Sequence, residues 1–84
     1  MGDARASFID GLAEHVGIAP LTATEIESVL SLAAVAAHGT GDRTTAPLAC
    51  FLAGLAAAEA DDRAASLDEI RRHAAELVSS AETG

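Results

Sequence analysis

Length and charge already exclude several classes of protein. The chain has 84 residues, which is enough for one small domain and one core. Five arginines, no lysine and 13 acidic residues give a formal net charge of −8. It therefore lacks the basic surface that nucleic acids and anionic membranes require, and we expect neither as a partner.

Composition predicts close packing through small side chains. Alanine accounts for 21 residues, half of the hydrophobic ones, and each alanine buries little area. Such a chain either brings its helices close together or buries a face against another molecule. The single cysteine, Cys50, excludes an internal disulfide. The longest uncharged apolar run, residues 46–58, is shorter than the roughly 20 residues that span a bilayer.

The N-terminal residues show no signal-peptide pattern, so we expect a cytoplasmic protein. A single helical domain is predicted over residues 1–84, with frayed ends at about 1–4 and 81–84. The first helix is predicted over residues 5–16, where Phe8 and Leu12 share one apolar stripe.

The second helix carries the clearest signals. It is predicted over residues 24–38 and opens with two overlapping capping boxes, Thr22 with Glu25 and Thr24 with Glu27. Ile26 and Leu30 form its inner stripe, and Gly39 is expected to end it. A polar connection follows.

The third helix, predicted over residues 46–58, has no charged side chain and two apolar faces. The large residues are Leu48, Phe51, Leu52 and Leu55, and the small ones are Cys50, Ala53, Gly54 and Ala57. A helix that is apolar all round is typical of a bundle centre. We therefore expect Phe51 and Leu52 among the least exposed residues and Gly54 against another helix backbone.

The fourth helix is predicted over residues 66–80, from a capping box of Ser66 with Glu69. No alternating strand pattern occurs. The sequence thus predicts an all-α, single-core bundle of four helices with the third helix central. Its predicted core consists of Phe8, Leu12, Ile26, Leu30, Leu48, Phe51, Leu52, Gly54, Leu55, Ile70 and Leu77.

Residues with catalytic or metal-binding chemistry are scattered. His15, His38, His73 and Cys50 lie on different predicted segments, which disfavours a metal site. Cys50 lies in the most apolar helix, where a thiol behaves as a small hydrophobe. No nucleophile motif and no phosphopantetheine-carrier motif occurs. We expect no catalytic residue, metal or cofactor.

The connection before the third helix offers one candidate binding site. Helix N-termini attract anions through free N–H groups, and the side chains that could complete such a site are His38, Arg43, Thr44 and Thr45. Ordinary helix capping, with Arg43 paired to a nearby carboxylate, explains the same residues. Both interpretations remain open at this point.

The same region carries a family resemblance. Ala37-His38 and the run Arg43-Thr-Thr-Ala-Pro-Leu-Ala-Cys-Phe-Leu-Ala-Gly54 resemble a family of small uncharacterised helical domains from actinobacteria, and the likeness extends over about residues 8–80. In that family the domain occurs alone or fused behind a molybdenum cofactor guanylyltransferase. The resemblance implies an accessory role in molybdenum cofactor maturation, and it supplies no catalytic residue.

Three functional hypotheses follow from these observations. The first is a non-enzymatic domain that docks on another protein, such as the guanylyltransferase or a molybdoenzyme. The second is a homodimer that buries the same surplus apolar face; the mass in solution separates it from the first, which predicts a monomer when the chain is alone. The third is a small-ligand domain that binds an anion through His38, Arg43, Thr44 and Thr45.

Overall fold

A computed structural model describes residues 3–83, with side chains described for residues 4–80. The chain forms four helices: α1 (Asp3–Val16), α2 (Ala23–Thr40), α3 (Thr45–Ala58) and α4 (Arg63–Thr83). No strand occurs within residues 3–83. The predicted all-α bundle of four helices is therefore confirmed. The expected fraying falls partly outside the described residues, and residues 3, 4 and 81–83 are helical.

Capping interactions explain where two of the helices begin. Thr22 caps α2 as predicted, since its hydroxyl accepts the Glu25 N–H at 3.2 Å and the Glu25 carboxylate accepts the Thr22 N–H at 2.7 Å. The predicted start of α4 at Ser66 is wrong. Asp62 accepts the Ala65 N–H through its carboxylate at 3.1 Å, so the helix begins at Arg63, one turn earlier.

The end of α2 also differs from the prediction. The helix continues through Gly39 and ends at Gly41, whose φ of 74° is left-handed and whose N–H bonds to Ala37 O. Gly39 has a different role. A Cβ built on it would lie 2.7 Å from Cγ1 of Val78 on α4, so the missing side chain lets the two helices approach.

The core lies between α2, α3 and α4. Leu32 of α2, Ala53 and Ala57 of α3 and Leu67 of α4 form its buried cluster. Helix α2 packs along both α3 and α4, whereas α3 and α4 touch each other over a shorter length. The central helix is therefore α2, and the predicted central position of α3 is wrong.

The predicted core membership is also largely wrong. Ile26 and Ile70 are partly buried, but Phe51 and Leu52 are each 67% exposed. A Cβ at Gly54 would meet nothing within 4 Å. Also exposed are Phe8, Leu12, Leu30, Leu48, Leu55 and Leu77. The physical reason on α3 is that its small side chains, Ala53 and Ala57, allow close helix packing and so face inward.

Helix α1 stands apart from the bundle. No Cα of its described residues comes within 8 Å of a Cα in α2, α3 or α4. Among its described side chains only Ala13 is buried. The radius of gyration is 13.6 Å, against about 12 Å expected for a domain of this length. Phe8 and Leu12 are exposed because no neighbouring helix covers their side of α1.

Candidate functional site

The connection between α2 and α3 does not bring the four residues of the predicted anion site together. Asp42 places its carboxylate over the start of α3, where Oδ1 accepts the Thr44 N–H at 2.9 Å and the Thr44 hydroxyl at 2.7 Å. These two hydrogen bonds, the hydroxyl first, lower the pKa of Asp42. A negative side chain therefore lies beside the N–H and hydroxyl of Thr44, which disfavours an anion at that residue.

The other residues of the predicted site point to different partners. The Thr45 hydroxyl lies 3.1 Å from that of Thr40, and His38 borders a shallow groove between α2 and α4. Within residues 4–80, no hydrogen bond or ion pair joins His38 or Arg43 to the two threonines. Arg43 is exposed and forms no ion pair with a described carboxylate. The capping interpretation is therefore wrong for both residues, since Thr44 precedes α3 without a side-chain capping hydrogen bond and Arg43 has no carboxylate partner among the described residues.

A buried ion pair joins the start of α2 to the start of α4. Glu25 is 2% exposed, and its carboxylate binds the Arg63 guanidinium through two hydrogen bonds, from Nε and, at 2.8 Å, from Nη2. Arg63 also donates to Ala19 O at 3.2 Å and Pro20 O at 3.0 Å. We call these residues, with Thr22, the α2 junction. The α2 junction holds the connection between α1 and α2 against the start of α2 and the start of α4.

Electrostatics explain why the carboxylate of Glu25 remains ionised despite burial. The hydrogen bonds from Arg63 are the largest cause and the Thr22 N–H contributes further, so the pKa of Glu25 falls from 4.5 to about 2, although burial opposes this. Both oxygens of this carboxylate accept hydrogen bonds from the protein itself, three in all. The arrangement is structural, since a group saturated by internal donors is not available to a substrate.

The outward side of α3 is the largest apolar feature that the structure leaves uncovered. Leu48, Phe51, Leu52 and Leu55 recur at intervals of three and four, so they line one side of the helix. Their exposed fractions lie between 55% and 67%. We call these four residues the α3 face. Helix α3 carries no charged residue, so no charged side chain of that helix borders the α3 face.

A second apolar surface lies on α1. Phe8, Leu12 and Val16 recur every four residues and are exposed, Phe8 by 68%. We call them the α1 stripe. Exposed single leucines are ordinary on protein surfaces, but a contiguous row is typical of an interaction site. Six of these seven residues of the α3 face and the α1 stripe, all except Val16, were predicted to lie in the core.

Chemically reactive groups do not gather anywhere in the described part of the chain. Within it, no three His, Cys, Asp or Glu side chains lie close enough to hold a metal ion. Cys50 is partly buried beside Val29 O, and desolvation raises the pKa of its thiol, which makes the thiol a poorer nucleophile. None of the described helices is sufficiently long and apolar to cross a bilayer.

Comparison with known proteins identifies a family for the whole chain. Residues 2–84 match the model of the Domain of unknown function (DUF6457), so the chain belongs to this family. Neither a curated protein nor a solved structure matches it.

Proposed function

We propose that this chain, a member of the DUF6457 family, is a non-enzymatic protein-docking domain whose binding surface is the α3 face. The observation that carries the proposal is the outward orientation of Leu48, Phe51, Leu52 and Leu55. Two-thirds of a phenylalanine or leucine side chain is on the order of 120 Å², so the face presents on the order of 450 Å² of apolar surface. Patches of about this size are often functional in monomeric proteins.

Energetics favour covering this surface. At about 25 cal/mol per Å², removing it from water is worth on the order of 10 kcal/mol before the costs of association are subtracted. A docking partner gains this free energy without desolvating an ion on α3, because that helix has none. The formal charge of −8 on the rest of the chain favours a partner with a neutral or basic rim.

A place in molybdenum cofactor maturation forms the finer part of the proposal. It rests on the sequence resemblance around Arg43 to Gly54, because the matched family has no described function. The same segment contains three of the four residues of the α3 face, Leu48, Phe51 and Leu52, so the resemblance and the proposed binding surface largely coincide. A molybdenum cofactor guanylyltransferase or a molybdoenzyme is therefore the first partner to test.

The test is co-purification from the native host with one variant and one matched control. Phe51→Glu places a charge in the α3 face, and Leu77→Glu places the same charge on α4, where the side chain is similarly exposed. The tagged wild-type chain and Leu77→Glu are expected to recover a protein of cofactor maturation that Phe51→Glu loses. Equal recovery by both variants contradicts the role of the face, and recovery of no such protein contradicts the pathway.

A further inference from the structure

We propose that a second copy of the chain covers the α3 face, with the α1 stripe of each copy packed on the α3 face of the other around a two-fold axis. The inference rests on the proposed function only for the choice of the α3 face as the binding surface, and it expects a dimer where a chain that only docks on another protein would be a monomer. It applies to the chain when no other partner is present. Both surfaces then become buried in one symmetric pair of contacts.

The fold prevents a chain from covering its own α3 face. Helix α3 turns Ala53 and Ala57 toward α2 and α4, and the four large residues lie on the opposite side. Helix α1 lies beside the N-terminal half of α2, where Ile9 faces a groove with Ile26. Its connection to α2 is held at Ala19 O and Pro20 O by Arg63. The α1 stripe therefore reaches an α3 face only on another molecule.

The area of the two surfaces matches what a stable dimer needs. The α3 face alone presents on the order of 450 Å², which is about half of the roughly 800 Å² that each partner buries in a standard interface. Adding Phe8, Leu12 and Val16 raises the apolar surface to on the order of 800 Å² per chain. An exchange of α1 and α3 contacts reaches this size, whereas contact between two α3 faces alone does not.

Helix length and charge fit the same arrangement. Helices α1 and α3 both have 14 residues, so each stripe has the length of the face it would cover. Two chains of charge −8 repel, but at physiological salt charges more than about 8 Å apart are largely screened. The uncharged α3 face is the surface on which two acidic chains meet with least repulsion.

The first experiment is sedimentation velocity on the full chain, alone, at micromolar to submillimolar concentrations. The wild type is expected to have the mass of two 8.4 kDa chains. Phe51→Glu and Leu12→Arg are each expected to weaken the dimer at least ~100-fold, while Leu77→Glu leaves it unchanged. Circular dichroism establishes that all three variants keep their helices. A wild type that stays monomeric over the whole range overturns the proposal.

Mixing the two monomeric variants tests the reciprocal arrangement. In a mixed dimer of Phe51→Glu with Leu12→Arg, one of the two contacts is fully wild-type and the other pairs opposite charges. The mixture is therefore expected to recover dimers that neither variant forms alone. Recovery supports the exchange of α1 and α3, and a mixture that stays monomeric overturns it. A dimer that resists Leu12→Arg but not Phe51→Glu also overturns it, since the two α3 faces would then contact each other.

The two proposals fail in distinguishable ways. A wild-type chain that is monomeric alone, yet loses its cellular partner when Phe51 becomes Glu, overturns the dimer and leaves the docking function standing. A dimer that dissociates with Phe51→Glu while the cellular partner is recovered equally by both variants supports the dimer. That same result contradicts the proposed docking of a maturation protein on the α3 face.

Discussion

The α2 junction and the α3 face distribute polar and apolar groups in opposite ways. At the junction a carboxylate with 2% exposure accepts hydrogen bonds from two parts of the chain, Thr22 before α2 and Arg63 at the start of α4. On α3 a phenylalanine and three leucines are turned to solvent. The polar group is buried where the backbone converges, and the apolar row is exposed where no side chain of residues 4–80 covers it.

The difference shows that packing geometry, and not side-chain hydrophobicity alone, decides burial in this domain. Helices α2, α3 and α4 approach through Ala53, Ala57 and Gly39, because small residues allow close contact. The larger side chains are left on the outside of α3. This arrangement on α3, with small residues inside and large residues outside, is the basis of the proposed docking surface.

Removing the arginine of the junction should have the largest effect. Arg63→Ala leaves the Glu25 carboxylate buried without its partner and is expected to destabilise the chain by about 3–5 kcal/mol. Because a core of this size supplies only about 3–5 kcal/mol, the variant should be largely unfolded at room temperature. Far-UV circular dichroism during urea unfolding measures the loss.

A surface ion pair provides the control for that prediction. Arg72 lies 3.2 Å from Asp68 on the exposed side of α4, and Arg72→Ala should change stability by less than about 1 kcal/mol. Equal losses for the two arginines would mean that the junction is no more buried than the surface of α4.

Core and face should respond differently to truncation. Leu67 is buried in the core cluster. Changing it to Ala should lower the free energy of unfolding by about 2–5 kcal/mol. Phe51→Ala should cost less than about 1 kcal/mol in the isolated chain, because most of its side chain is already in water. Urea unfolding at concentrations low enough to dissociate any dimer compares them. If Phe51→Ala lowered the free energy of unfolding as much as Leu67→Ala does, the large residues of α3 would have to face the core.

Acid should weaken the junction over a defined range. Folding lowers the pKa of Glu25 from 4.5 to about 2, so the unfolded chain binds more protons between these values. The ion pair therefore contributes fully above about pH 5, and its contribution, about 3 kcal/mol, is lost as the pH falls to about 2. NMR titration of the Glu25 carboxyl carbon checks this directly. A midpoint near 4.5 would contradict it.

Local signals in the sequence predicted most of the fold. Apolar periodicity located all four helices to within three residues at each end, and the Thr22 capping box was correct because capping involves only neighbouring residues. Two kinds of information were missing. Nothing in the sequence shows that Arg63 reaches Glu25 from 38 residues away. On α3 both faces are apolar, and their pattern alone does not indicate which one faces inward.

The candidate site shows the same limit. The row Leu48, Phe51, Leu52 and Leu55 was identified correctly as a unit, since four large apolar residues on one helical side are visible in the sequence. Its assignment to the core was wrong, because that assignment assumed that the chain buries its own large residues. The anion site predicted at Thr44 stays a prediction, and the sequence did not indicate that the carboxylate of Asp42 bonds to the N–H of that residue.

The smallest expected change in stability comes from replacing two glycines, Gly39 on the packed side of the bundle and Gly54 on the exposed side. In an open helix interior, Gly→Ala stabilises by about 0.5–1 kcal/mol through helix propensity. Gly54→Ala should show this gain, because its new Cβ meets nothing within 4 Å. Gly39→Ala should instead lose about 1–3 kcal/mol, since its Cβ collides with Val78, whose branched side chain is stiff at χ1. The two melting temperatures should therefore move in opposite directions, and a gain at both positions would show that α2 and α4 pack less closely than the structure has them.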